Sequence, residues 1–152
     1  MRFKFVCVGG TFDVFHKGHR KLLSRAFSVG EEVLIGITSD GFKTEHEVEP
    51  YKQRHANLVN FLGEMKLLSR ARIEQINDPY SSAILPELEA IVVSEETRPN
   101  AERLNEIRMR RGARPLKIEQ ISWVRADDGT VISSTAIRKG IMDREGRLLQ
   151  KG

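Results

Sequence analysis

Cysteine occurs once in the 152 residues, so no internal disulfide can form, and Cys7 lies in the apolar run FKFVCV, where it reads as a small buried hydrophobe rather than a nucleophile. A reducing compartment fits that usage. No apolar stretch approaches the ~20 residues that span a bilayer. The start, MRFKFVCVGG, has neither the apolar length nor the small-residue cleavage pattern of a signal peptide. A cytoplasmic chain with no membrane contact is expected. No repeat, low-complexity segment or linker interrupts the sequence, which suits a single domain over 1–152 burying roughly 70% of its unfolded surface. Acidic ligands are missing too: no Cys, Asp or Glu at ligand spacing completes a site with His16 and His19, which disfavours zinc.

Charge of one sign is also scarce, since 21 acidic residues offset 25 basic ones and leave a formal +4. The densest basic stretch, Arg108 to Lys117, carries five basic residues and no aromatic ring on which a base could stack. It reads as a solvated helix end, with a phosphate-rich small molecule and nucleic acid as the alternatives.

What is present is an alternation of strand and helix patterns. Phe3 to Val8 and Glu32 to Ser39 read as buried strands, and between them Leu22, Leu23, Ala26 and Phe27 share one helical face that runs to Gly30, a candidate C′ residue. From Tyr51 to Ser69, Leu58, Phe61, Leu62, Met65 and Leu68 recur at a helical period, and a third strand is expected near Ala71 to Ile76. Ala90 to Thr97 begins as a buried strand, after which Thr97 can cap a helix that Pro99 helps to start and Gly112 ends. PLKIEQISWV reads as another strand, SSTAIRKG as a short helix opening with hydroxyls, and DREGRLLQKG as polar enough to fray. The expected fold is α/β: a Rossmann-like, mostly parallel sheet with right-handed crossovers, helices on both faces and ligands outside the carboxyl ends of the strands.

The stretch GGTFDVFHKGH, Gly9 to His19, stands where the first strand hands over to the first helix. Gly9 and Gly10 allow a tight turn and the close approach of a ligand, and Thr11 adds a hydroxyl. A helix starting near His16 presents unpaired N–H groups and partial positive charge. His16 and His19, at i and i+3, project from the same face of its first turn and can reach one phosphate. Near the other end, Ser133, Ser134 and Thr135 offer hydroxyls and N–H groups at another helix start, and Arg138 offers a planar fork for phosphate oxygens.

GGTFDVFHKGH resembles the HxGH signature of the nucleotidyltransferase superfamily, and ISSTAIRKG, Ile132 to Gly140, resembles the ISSTxIR element that closes such domains. Over nearly its whole length the chain is similar to the archaeal and eukaryotic type of phosphopantetheine adenylyltransferase, through these two motifs together with GITSDGFKTE and VSEETRPNAERLNEIRMRRG. The resemblance implies transfer of AMP from ATP to 4′-phosphopantetheine, with magnesium carried in by the ATP. It implies that Thr11 orients the attacking phosphate, that His16 and His19 hold the triphosphate, and that Lys43 binds substrate phosphate. Together with Thr11, His16 and His19, the residues Gly9, Gly10, Gly18, Ser133, Ser134, Thr135 and Arg138 would make up the ATP site, with Arg98, Asn105 and Arg108 on the substrate or nucleotide side. Trp123 is favoured as core, Glu95 and Glu96 as acids at a helix start, and Asp13 as a loop holder. The rival readings keep the fold and change the acceptor or nucleotide: FAD synthetase, a glycerol-3-phosphate-type cytidylyltransferase, or nicotinamide mononucleotide adenylyltransferase. A non-catalytic RNA-binding module is the alternative from another class, disfavoured because no motif residue is missing.

Overall fold

The computed structural model describes residues 2–42, 47–80 and 85–149. Strands β1 (Phe3–Gly10), β2 (Gly30–Thr38), β3 (Ala71–Ile76), β4 (Ala90–Val93) and β5 (Lys117–Gln120) form one sheet in the order β3-β2-β1-β4-β5. Every neighbouring pair is parallel. Helices α1 (Lys17–Val29), α2 (Tyr51–Glu64), α3 (Arg98–Arg110) and α4 (Ser134–Arg138) connect or follow the strands. The α/β reading of the sequence holds, including the third strand at Ala71–Ile76. No described helix is long and apolar enough to cross a membrane.

A central parallel strand is covered on both faces, so it reads as a continuous apolar run rather than an alternation. β1 and β2 meet that demand: Val6, Val8, Val33, Ile35 and Ile37 pack with Leu22, Leu23, Ala26 and Phe27 of α1 and with Leu58 and Leu62 of α2. From the other face, Phe5, Cys7 and Leu34 pack with Leu104 of α3 and with Leu88 and Leu116. Cys7 is thus a buried hydrophobe, and burial pushes its thiol up to about 12.

Several boundaries differ from the sequence pattern, each for a tertiary reason. Gly9 and Gly10 do not turn; they pair with Gly36 and Ile37 as the last residues of β1. The turn follows them, at Phe12 (φ 55°) and Val14 (φ 52°), two non-glycine residues in the left-handed region. Gly30 ends α1 in extended backbone rather than as a left-handed cap, and a Cβ there would lie 2.6 Å from a Val6 methyl. β5 is only four residues long because the chain leaves the sheet after Ile121, whose N–H donates to Val93, and pairs instead with a hairpin through Arg125 and Val131. Thr97 stands at the N-cap of α3 without capping it; its hydroxyl accepts from the Ser94 N–H at 3.1 Å. The polar segment 143–149 is not frayed. It docks on α1 through Lys17 N–H to Arg144 O at 2.9 Å and an Arg20–Glu145 ion pair at 2.5 Å, and it closes a bridge between Met142 and Leu148.

The helix read from Tyr51 to Ser69 stops at Glu64, and Met65 and Leu68 are left exposed. Leu67 N–H donates to Leu62 O and Lys66 N–H to Gly63 O, the paired closure of a left-handed cap, with Lys66 at φ 58°. A lysine at that position carries a Cβ penalty that glycine lacks. Lys66→Gly is expected to raise unfolding stability by about 0.5–1 kcal/mol, read from the denaturant midpoint at unchanged slope.

Candidate active site

A cleft of about 730 Å³ opens at the carboxyl ends of β1 and β4, within the usual size of a small-molecule site. β1 connects to β2 on one side while β4 flanks it on the other, so the cleft lies where the strand order reverses, the usual place for a ligand in an open α/β sheet. Gly9, Gly10, Thr11, His16, Gly18 and His19 line it from one end of the sequence. Ser133, Ser134, Thr135 and Arg138 line it from the other.

His16 is the N-cap of α1 and fills a role usually taken by serine or aspartate: its Nδ1 accepts from the Gly18 N–H at 3.0 Å. The Nδ1 of His19 accepts from the His16 N–H at 3.1 Å, which closes a reciprocal capping box. The two rings stack at 3.8 Å between centroids, and His19 also meets Phe12 and Phe15 at 5.4 and 5.7 Å. With both Nδ1 atoms accepting, each neutral ring carries its proton on Nε2 and keeps that N–H for a ligand. Gly18 is required by the same arrangement, since a Cβ there would stand 2.9 Å from the His16 ring.

Asp13 joins the two ends of the sequence. Its carboxylate accepts from the Arg138 Nη2 and Nε at 2.8 and 3.2 Å, and from the Glu49 N–H at 2.8 Å. Its carbonyl accepts from the Ser134 hydroxyl at 2.7 Å. Ser133 caps α4 by accepting from the Ala136 N–H at 3.1 Å. Arg138 is therefore fixed along one edge by a carboxylate, with its side chain 35% exposed toward the cleft. The sequence reading gave Asp13 the loop and missed its tie to Arg138, a pairing that only the fold brings together.

The other expected site residues fall elsewhere. Lys43 lies outside the described residues. Arg98 is on the surface, bonded to Glu102 and Gln120. Asn105 clamps the chain before β5, donating to Leu116 O and accepting from its N–H. Arg108, read as part of a solvated helix end, is 1% exposed and donates to the carbonyls of Arg114 and Leu85. None of these three lines the cleft. Trp123 and Glu96 do line it, as do Ser94, Thr97 and Asn100, which sequence reasoning did not single out for the site.

Burial holds both histidines neutral. The pKa of His16 falls from 6.5 to about 4, first through burial and then through the Arg20 charge, against a smaller opposing pull from Asp13. That of His19 falls well below 6.5 through burial, then His16 and Arg20. Between about 6.5 and 4 the unfolded chain binds more protons than the folded one, so stability is lost as the pH drops through that window. The ligand-free protein should lose about 2–3 kcal/mol to His16 alone between pH 7 and 4.5. His16→Asn, which keeps a capping acceptor but cannot titrate, should flatten that part of the slope in denaturant titrations across the range.

Residues 7–140 match the cytidylyltransferase-like family, the class of nucleotidyltransferases to which the sheet and the cleft belong. A phosphopantetheine adenylyltransferase of Methanothermobacter thermautotrophicus is 46% identical over 99% of this chain and 92% of its own length. A solved structure from Archaeoglobus fulgidus, of a protein of unknown function, is 31% identical with a TM-score of 0.66, covering 76% of this chain and 87% of that one. A bifunctional NMN adenylyltransferase/ADP-ribose pyrophosphatase of Francisella tularensis shares the fold alone, at 18% identity and a TM-score of 0.66, over 90% of this chain and 41% of that one. The chain belongs to the phosphopantetheine adenylyltransferase family within the cytidylyltransferase-like proteins.

Proposed function

We propose that the protein transfers AMP from ATP to 4′-phosphopantetheine, releasing pyrophosphate and forming dephospho-coenzyme A, and that it does so in the cytoplasm. The observation that carries this reading is the meeting of all ten residues expected at the ATP site in one cleft, although they come from opposite ends of the chain. An oxygen of the acceptor phosphate attacks the α-phosphorus in line; the new P–O bond forms as the bond to the bridging oxygen breaks, and pyrophosphate leaves with the electron pair. The attacking phosphate is already ionised at neutral pH, so no general base is needed and the protein contributes position and charge stabilisation.

Thr11, at the mouth of β1, orients the acceptor phosphate. The Nε2–H groups of His16 and His19 and the amino end of α1 meet the charge that develops on the phosphoryl oxygens. Ser133, Ser134, Thr135 and Arg138 hold the β- and γ-phosphates, and Lys43 binds substrate phosphate. Magnesium enters as part of the MgATP substrate. The donor set of the cleft suits that role, because its buried carboxylate, Asp13, is already engaged by Arg138 and the Glu49 N–H.

Pyrophosphate release from MgATP, with 4′-phosphopantetheine compared against FMN, nicotinamide mononucleotide and glycerol 3-phosphate and with CTP in parallel, tests the reading. Turnover is expected only for ATP with 4′-phosphopantetheine; turnover with another acceptor would keep the chemistry and discard the substrate. His19→Ala should lower kcat by at least about 100-fold while circular dichroism stays unchanged. Lys43→Ala should raise the acceptor KM more than the ATP KM, and equal increases would remove its assignment.

A further inference from the structure

Arg54 is fully buried, at 0% exposure, in the first turns of α2. That is an unfavourable place for a cation: the amino end of a helix carries partial positive charge, and the first turn of α2 holds no acidic residue. A buried guanidinium must also have its N–H groups satisfied, or its desolvation goes uncompensated. Here the partners are chiefly backbone carbonyls. Nε donates to Glu49 O at 2.7 Å, and Nη1 donates to Thr11 O at 2.9 Å, Thr38 O at 2.8 Å and Thr38 Oγ1 at 3.1 Å. The ion-pair partner, Asp40, is 3.5 Å from Nη2 and largely exposed.

These carbonyls belong to three chain segments that form one wall of the cleft. Thr11 follows β1, Thr38 ends β2, and Glu49 belongs to the strap that leads into α2. Glu49 in turn accepts from the Val14 N–H through Oε1 at 2.8 Å, and its own N–H donates to Asp13. The turn so enclosed is the strained one, with Phe12 and Val14 at positive φ, an arrangement that persists only where its surroundings over-determine it. Arg54 does not line the cleft, whereas Thr11 and Thr38 do.

We infer that Arg54 is a positioning residue for the reaction: its guanidinium holds the Thr11 carbonyl and the Glu49 strap, and thereby keeps the strained turn between β1 and α1 in the conformation that presents Thr11 to the acceptor phosphate. The inference rests on the adenylyl-transfer reading for its chemistry and on geometry alone for its structural part. Arg54 acts on the acceptor side, so its removal should leave nucleotide binding nearly intact while misplacing the attacking group.

The test is Arg54→Ala in the full chain, assayed with MgATP and 4′-phosphopantetheine and corrected for the folded fraction measured by circular dichroism. The kcat per folded molecule should fall about 100-fold, the loss typical of a reacting group misplaced by about 1 Å. The Kd of a non-hydrolysable ATP analogue should change less than about threefold, since the capping box of His16 and His19 keeps its own bonds. Guanidinium ion at tens of millimolar should restore part of kcat, with sodium chloride at equal ionic strength doing nothing. The amide resonances of Thr11 to Phe15 should shift in the variant and return with guanidinium, with α4 following through its bonds to Asp13 and those of α3 staying in place. A kcat within about threefold of wild type, or unmoved Thr11 to Phe15 resonances, would overturn the inference. Should the alanine variant not fold, Arg54→Lys retains the buried charge but cannot bridge four acceptors, and unchanged kcat and resonances in that variant would overturn it equally. Absence of turnover in the wild type would instead remove the substrate reading, and the resonances would still decide the role of Arg54.

Discussion

In a sheet whose five strands all run the same way, every carboxyl end arrives at one edge, and each delivers backbone groups that have no next strand residue to pair with. Helix starts gather at that edge for the same reason, because each crossover sets out from a strand's carboxyl end. β1 ends beside β4, α1 begins at Lys17 after a turn that leaves β1 at Gly10, and α3 begins after β4 at Arg98. The edge therefore combines surplus carbonyls with the N–H groups of helix starts, and the two call for opposite partners. At the start of α1 the N–H groups of His16, Lys17 and Gly18 are already bonded within the protein, so what that end offers an anion is the helix dipole and the Nε2–H groups of the two histidines. The carbonyls require a donor with several N–H groups, and arginine is the side chain that meets several at once.

The arginines of this chain divide along that line. Arg54 satisfies carbonyls at the ends of β1 and β2. At the opposite end of α1, Arg70 donates to the carbonyls of Phe27, Gly30 and Glu31, which α1 leaves open as it passes into β2. Arg108 performs the same service behind α3, for Arg114 and Leu85. Arg138 is different, since Asp13 engages only one edge of its fork and the rest of the side chain faces the cleft. Much of the excess of basic over acidic residues thus serves the backbone, which is why net charge alone is a poor guide to the partner.

The same division explains how much could be read from the sequence. β1, α1 and β2 were legible because a central parallel strand is apolar throughout and because Leu22, Leu23, Ala26 and Phe27 keep a helical period. The residues of the two motifs were singled out because their types match anion chemistry, and the fold brings them to one cleft. Asn105 and Arg108 were expected on the substrate side from the family resemblance, but they bond to the backbone around α3 and β5, and nothing local in the sequence distinguishes a guanidinium that binds phosphate from one that binds carbonyls. The end of α2 was misread because Met65 and Leu68 continue the apolar period past a left-handed closure at Lys66. Gly9 and Gly10 signalled a turn, whereas the strand runs through them and Glu49 supports the turn from 35 residues away.

The state of the two histidines follows from their packing and sets the character of the site. Two imidazolium rings stacked at 3.8 Å would repel by about 4 kcal/mol at an effective dielectric near 20, before any penalty for burial. Each Nδ1 is also committed to accepting a backbone N–H, which a protonated ring could not do. The pair is therefore neutral, and what it offers the proposed nucleotidyl transfer is two fixed N–H dipoles rather than two charges. Fixed dipoles would suit the proposed reaction, in which negative charge moves from the attacking phosphate oxygen onto the bridging oxygen that leaves with pyrophosphate, because they need no reorganisation as that charge develops. The permanent positive charge that faces the cleft is that of Arg138, held by Asp13, and in the proposed reaction it would offset the negative charge of the β- and γ-phosphates that leave together. A ligand-free cleft of this kind stays stable at neutral pH because its most buried titratable rings carry no charge.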